Sequence, residues 1–427
     1  MGAAMTHRAV TAASQRASRP HPLVVLVRAL VVALLAAAAI LGVALAFAPP
    51  PAVAATPVPI EAAEPGAASV AWPETARAAG YAVVGVDGAA EAWGSDQAHP
   101  MASITKLVTV LVVLDAHPIE GDDRGAEITL GRPDLVALGE ALADNAPIAP
   151  VYDGMVVTQR DLMEWALVDS AGNAAWSLAN WGFGSIDAFL DASAAWAERH
   201  GLEQTSLADP IGLSARSVSS AADLTRIGLL AVADPVVLAT LQLEEVAIPG
   251  IGIAPSTNRI LGEGFVDGGK TGTLKVWGRN LFVTAERVVD GEPRRIVAVV
   301  MGTIAADETD EAMLTLLDSL WDDFQRRTIV PAGTVVAEFR APWGATTTAS
   351  TLSDLDADVF GAQQPTATAE AGAVEPGAPR SEVGQASLTD HDGETSSTPV
   401  RADGMLAAPD LAWRLTHPVD VVGWYFD

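Results

Sequence analysis

The 427-residue sequence contains no cysteine, which excludes disulfides, thiolate nucleophiles, Fe–S clusters and cysteine-held zinc. Lysine is almost as scarce: Lys106, Lys270 and Lys275 are the whole supply, so each one invites a reason for its presence. Basic residues total 25 against 53 acidic ones, a formal charge of −28. That balance argues against a nucleic-acid partner, because neutralising phosphates needs a basic face. What is plentiful is apolar: half of the residues are hydrophobic, so the chain is neither disordered nor collagen-like, and its length suggests two to three domains.

The apolar content begins near the N-terminus. Residues 1–28 carry Arg8, Arg16, Arg19 and Arg28 and no acid, and residues 29–48 form an uncharged run of twenty. A helix of that length crosses a bilayer core of about 30 Å. A basic tail stays in the cytoplasm, so the chain after Pro49 is expected outside, in the cell envelope. Ala52-Val53-Ala54 matches the small-residue pattern that a signal peptidase cuts, which leaves both a cleaved signal and a retained transmembrane anchor open.

Residues 49–75 are rich in Pro and Ala and read as a linker. From 76 to 328 the pattern is globular: a short strand over 81–86, an apolar helix over 103–116, and helical periodicity over 161–180 with a break near Ser170. A helix over 186–200, another capped by Ser219 or Ser220, strands over 281–286 and 295–301, and a last helix over 307–326 follow. Strands at both ends with helices between predict an α+β fold. Its mostly antiparallel sheet is flanked by helices and carries an inserted helical lobe, with a cleft between the lobes. Residues 329–427 read as a small β-rich module containing a flexible acidic segment at about 345–404, poor in large apolar residues.

Three motifs carry chemistry. In Ala102-Ser103-Ile104-Thr105-Lys106 the Ser and Lys stand at i and i+3, neighbours on one helix face. A serine hydroxyl attacks only when a base takes its proton, and an amine does this when burial or a second cation lowers its pKa. Alone, the pattern is equally an ordinary helix cap beside a solvated lysine. In Val168-Asp169-Ser170-Ala171-Gly172-Asn173 a second serine and an amide meet at a helix junction; a plain capping Ser and turn Asn fit as well. In Asp267-Gly268-Gly269-Lys270-Thr271-Gly272-Thr273, glycines flank a Lys-Thr pair suited to a carboxylate. The run from Gly264 to Thr271 also satisfies the phosphate-loop pattern, but strand-like residues 273–279 follow where a helix should open.

Together, an A-S-x-T-K, a Ser/Asn turn and a K-T-G resemble the serine penicillin-recognising enzymes. With Asp209-Pro210-Ile211-Gly212-Leu213 and Ser256-Thr257-Asn258-Arg259, the chain most resembles their low-molecular-weight D-alanyl-D-alanine carboxypeptidases, peptidase family S11. The resemblance implies a β-lactamase/transpeptidase-like fold and a penicillin-sensitive acyl-enzyme on Ser103. Lys106 would take the hydroxyl proton, and Ser170 would return one to the leaving D-alanine. Asn173, Lys270, Thr271, Gly272 and Thr273 would hold the substrate, with the Ser103 and Thr273 N–H groups as oxyanion hole. It implies peptidoglycan stem peptides and β-lactams as partners, and neither cofactor nor metal. A β-lactamase or D,D-endopeptidase on the same fold, or a non-catalytic wall-binding protein, are the alternatives. Two positions depart from the pattern: Gly172 stands where Asn is expected, with Asn173 one place late. After Met301-Gly302 the chain has Thr303-Ile304 rather than a basic residue, so the carboxylate is expected to rest on Lys270 and Thr271.

Overall fold

The computed structural model describes residues 21–61, 69–289, 291–361, 365–390 and 393–426; most of the basic tail and residues 62–68 of the expected linker lie outside these. Helix α1 (Pro22–Phe47) is apolar but for Arg28, largely exposed, and long and apolar enough to cross a membrane. The two-residue strand β1 (Thr56–Pro57) follows.

The first globular domain is built on five antiparallel strands: β2 (Ala78–Val83), β3 (Ala90–Gly94), β4 (Val266–Leu274), β5 (Gly278–Val289) and β6 (Glu292–Thr303), in the order β4-β5-β6-β2-β3. Both faces are buried, and the period of two decides which residue goes where. Val297, Val299 and Met301 of β6 join one core, whereas Ile296, Ala298 and Val300 join the other. The first core also takes α2 (Thr105–Ala116), which is buried on all sides and serves as the central helix. Around it pack α3 (Arg132–Ala143), α4 (Gln159–Leu167), α5 (Gly172–Phe183) and α6 (Ile186–Arg199), forming the helical lobe. Helix α7 (Ala221–Ala233) covers the sheet on that face and α8 (Ala306–Trp321) on the opposite one. The expected caps form: the Ser185 and Ser220 hydroxyls accept from the Ala188 and Asp223 amides, each at 3.1 Å.

Four expectations are corrected. The last helix, expected to run to 326, stops at Trp321, and residues 324–330 form strand β7 (Phe324–Val330). Phe324 instead packs on Phe360 with ring centroids 4.9 Å apart. Residues 345–404 are not a flexible segment where described. With β8 (Val335–Arg340) they make β9 (Thr346–Thr351), β10 (Leu355–Phe360), β11 (Thr366–Ala371), β12 (Glu382–Thr389) and β13 (Thr395–Ala402). The sheet runs β1-β8-β9-β13-β12-β11, and β7 pairs with β10. Its core sets a few bulky residues, Phe339, Leu355 and Leu388 among them, among small ones such as Ala349, Ala386 and Ala402, so a search for runs of bulky apolar residues passes over it. The linker is likewise partly strand: Val53 bridges Val374, and β1 pairs with β8. Residues expected to close the β module form two short helices, α9 (Leu411–Thr416) and α10 (Pro418–Gly423).

Candidate active site

A single 3-10 turn over Ala102–Ile104 delivers Ser103 to the start of α2. Ala102 has φ +51, a left-handed backbone that costs about 1–3 kcal/mol in a non-glycine residue and turns the chain sharply just before the serine. One helical turn on, Lys106 is 1% exposed. Its Nζ donates to Ser103 Oγ at 2.7 Å and to the Ile211 carbonyl at 2.9 Å. Burial strips the ammonium of water and lowers its pKa to about 7, against the pull of Asp209 in the other direction. That carboxylate also shapes the loop beneath the lysine, accepting from Ile211 N at 2.8 Å, Ser214 N at 2.9 Å and Ser217 Oγ at 3.1 Å. Gly212 is obligatory there, because a Cβ would stand 1.8 Å from the Ala102 carbonyl oxygen.

The opposite wall is assembled from distant segments. Ser170 sits between α4 and α5 with φ +66, and Lys270 reaches it from β4. Lys270 is 0% exposed; its Nζ donates to Ser170 Oγ and to the Thr271 carbonyl, each at 3.0 Å. Its pKa falls well below the ordinary lysine value, first through burial and then through the Lys106 charge, with Asp169 opposing. Lys270 lies mid-strand with a hairpin after it and no helix, so the phosphate-loop reading is excluded. Gly272 lets β4 pass tightly against the serine turn: a Cβ there would lie 2.8 Å from the Met101 carbonyl oxygen.

Between the walls lies a cleft of about 770 Å³, lined among others by Ser103, Ser170, Thr271 and Thr273. Strand β4 is the edge of its sheet, so alternate N–H groups along it have no neighbouring strand to pair with, and Thr271 and Thr273 of this edge line the cleft. Lys275 also lines it, so all three lysines of this acidic chain belong to one site.

Asn173 does not line the cleft. It is 0% exposed, and its amide accepts from Ala149 N at 2.9 Å and donates to Ala149 O at 2.8 Å. It pins the segment ahead of α4, so the assignment to substrate binding is corrected to a structural one. A Cβ at Gly172 would fit tightly, meeting Ile211 Cγ2 at 3.1 Å. The expectation that Lys270 grips a carboxylate directly also changes, since the side chain has no exposed surface and its amine is bonded to Ser170.

Sequence reasoning missed several residues. Thr257 accepts a hydrogen bond from Thr271 Oγ1 at 2.8 Å, which sets two hydroxyls side by side. Arg279, directly across from Thr273 on β5, lines the cleft, as does Asn145 with φ +56. Asn280 donates to the Pro100 and Met101 carbonyls at 2.9 and 3.0 Å, tying the sheet to the serine turn. The R-N dipeptide carries no motif signal; only register with Thr273 reveals it.

The chain is similar to several known proteins. Over 128 residues the chain is 36% identical to a D-alanyl-D-alanine endopeptidase of Pseudomonas aeruginosa, covering 30% of this chain and 38% of that one. Over 250 residues it is 31% identical to the D-alanyl-D-alanine carboxypeptidase DacD of Escherichia coli, covering 57% and 62%. The chain thus spans less than two thirds of either relative. The crystal structure of penicillin binding protein 6B from Escherichia coli matches 80% of this chain and 100% of its own with a TM-score of 0.55 at 24% identity, a likeness that establishes the fold. The profile of peptidase family S11, D-alanyl-D-alanine carboxypeptidase, matches residues 90–305, half of the sequence. The chain therefore belongs to the D-alanyl-D-alanine carboxypeptidase family S11.

Proposed function

We propose that this protein is an exported serine D,D-carboxypeptidase that removes the terminal D-alanine from peptidoglycan stem peptides. The observation that carries the reading is the buried Lys106 amine, with a pKa of about 7, at 2.7 Å from Ser103 Oγ. A neutral amine accepts the hydroxyl proton as Oγ bonds to the carbonyl carbon of the penultimate D-alanine. The Ser103 and outward-facing Thr273 N–H groups stabilise the oxyanion. Collapse breaks the C–N bond, and the departing D-alanine amine takes a proton through Ser170, whose hydroxyl Lys270 orients. Water then cleaves the ester and restores Ser103. The free terminal carboxylate rests on the paired Thr271 and Thr257 hydroxyls and on Arg279, which replaces the basic residue lacking after β6. A strained β-lactam amide enters the same first step, which makes the enzyme penicillin-sensitive.

The Pseudomonas aeruginosa relative favours a second reading, cleavage of a D-alanyl bond inside a cross-linked peptide. The cations at the carboxylate end of the cleft favour a free C-terminus. Incubation with an acyl-D-alanyl-D-alanine peptide and with a cross-linked peptide dimer separates the two. Release of free D-alanine with the dimer intact supports the carboxypeptidase; the reverse supports the endopeptidase. Intact mass after penicillin treatment should rise by one penicilloyl group and stay unchanged in Ser103→Ala. A labelled Ser103→Ala would refute the nucleophile.

A further inference from the structure

The outer end of α1 is not free. Leu45 and Ala48 are buried against Val421 of α10, itself 0% exposed, with Trp413 and Trp424 packed alongside. The last carbonyls of any helix lack intrahelical donors. Here Arg414 of α9 supplies them: its guanidinium donates to Leu45 O at 3.4 Å and to Ala48 O at 2.5 Å, and to Pro409 O at 3.1 Å. A cation there also suits the negative end of the helix dipole. Tyr425 adds a bond from its hydroxyl to Ala44 O at 2.7 Å. Trp343 of the β module joins through edge contacts to Trp413 and Trp424, at 6.0 and 5.9 Å. The chain leaving α1 enters the same module at once, because Val53, in the middle of the Ala52-Val53-Ala54 sequence, is buried and paired with Val374.

We infer that α1 is retained in the working protein as a membrane anchor, and that residues 407–426 form a lipid-contacting collar around its outer end. Loss of α1 would leave the buried Arg414 charge without its Leu45 and Ala48 acceptors and uncover Val421, so the tail helices and the anchor stabilise one another. The occupant of the collar's outer side is the bilayer. Leu411, Leu415, Val419 and Phe426 are exposed, the last by 85%, although they adjoin a helix long and apolar enough to span. The three tryptophans cluster at the point where that helix ends, the depth at which amphipathic rings settle at a membrane–water boundary. The β module is thereby held at the membrane surface.

The absence of cysteine makes the test clean. The full chain, expressed in a bacterial host and extracted from membranes, is read by intact mass. Residues 22–48 should be present, and a product beginning near Ala55 would overturn retention. In an Ala44→Cys/Tyr425→Cys variant a short bismaleimide should join the two positions in one chain, with the yield falling severalfold when Arg414→Met is added. For lipid contact, an environment-sensitive fluorophore at Leu415→Cys is followed in phosphatidylethanolamine/phosphatidylglycerol vesicles. Brominated lipid should quench it several-fold more than the same label at Asp187→Cys on α6. Failure to cross-link, or equal quenching at the two sites, would overturn the collar even with α1 retained. None of these readouts depends on enzymatic activity.

Discussion

The two walls of the cleft each present a serine to a buried lysine, yet they are built in opposite ways. Ser103 and Lys106 lie three residues apart on one helical turn, at 2.7 Å. Ser170 and Lys270 lie a hundred residues apart, on a strained junction and a strand, at 3.0 Å. The first pair faces the cleft through its serine and has a lysine whose pKa of about 7 suits a base. The second has its lysine, as enclosed as the first, pushed well below the ordinary value by burial and in part by the first lysine. In the proposed mechanism the local pair is the reacting one, and the tertiary pair lies on the proton path around it. Burial does most of this: it strips both ammonium groups of water and lowers both pKa values, and the Lys106 charge lowers Lys270 further.

The largest break in this comparison should come from Lys106→Met, which keeps volume and removes the base. Acylation by penicillin should slow by roughly 10²–10⁴ in stopped-flow or quenched labelling. In the parent, Lys106 is protonated and inactive as a base below its lowered pKa, so the acylation rate should rise as pH increases through about 7. The variant should lose that limb of the profile. Ser170→Ala should cost less, about ten- to a hundredfold in D-alanine release, the scale of one hydrogen bond to a charged group. The same substitution should leave the pH limb near 7 in place, because the base is intact. If Ser170→Ala erased the limb instead, the two lysines would have exchanged roles.

Arg279→Ala sharpens the view of the cationic wall. We expect KM for a peptide with a free terminal carboxylate to rise about tenfold with kcat little changed, the signature of lost ground-state binding. An amide-capped peptide should be handled equally by parent and variant. The smallest effect on chemistry belongs to Asn173→Ala. Removing the amide strands both polar groups of Ala149 in a buried site, which should lower stability by about 1–3 kcal/mol in urea unfolding. Acylation by the folded fraction should be unchanged. A folded variant with impaired acylation would return Asn173 to the substrate.

The same division between local and tertiary pairing explains what was legible. Helix α2 announces itself by a long apolar run, α6 by a periodic apolar face behind its Ser185 cap, and strands β5 and β6 by runs of apolar and β-branched residues. The tail sheet did not, because its core is rich in Ala and Val with only a few bulky residues between them, close to the composition of a flexible segment. Its strands gain their burial from one another and from β1, contributed by chain expected to be a linker. Within the site, Ser103, Lys106, Ser170 and Lys270 were readable from motif spacing, whereas Arg279 required the strand register and Asn173 the position of Ala149.

Sequence alone determined that the chain carries a membrane-length apolar helix and holds a serine and a lysine on one helical turn. It also determined that no thiol chemistry operates, because composition and i, i+3 geometry are properties of the chain itself. Tertiary structure alone decided that Lys106 is dry enough to be neutral and that Lys270 serves Ser170. It also decided that Asn173 faces inward, and that the tail closes on the anchor helix. Burial, and the charges and partners that burial brings within a few ångströms, exist only once distant segments have packed.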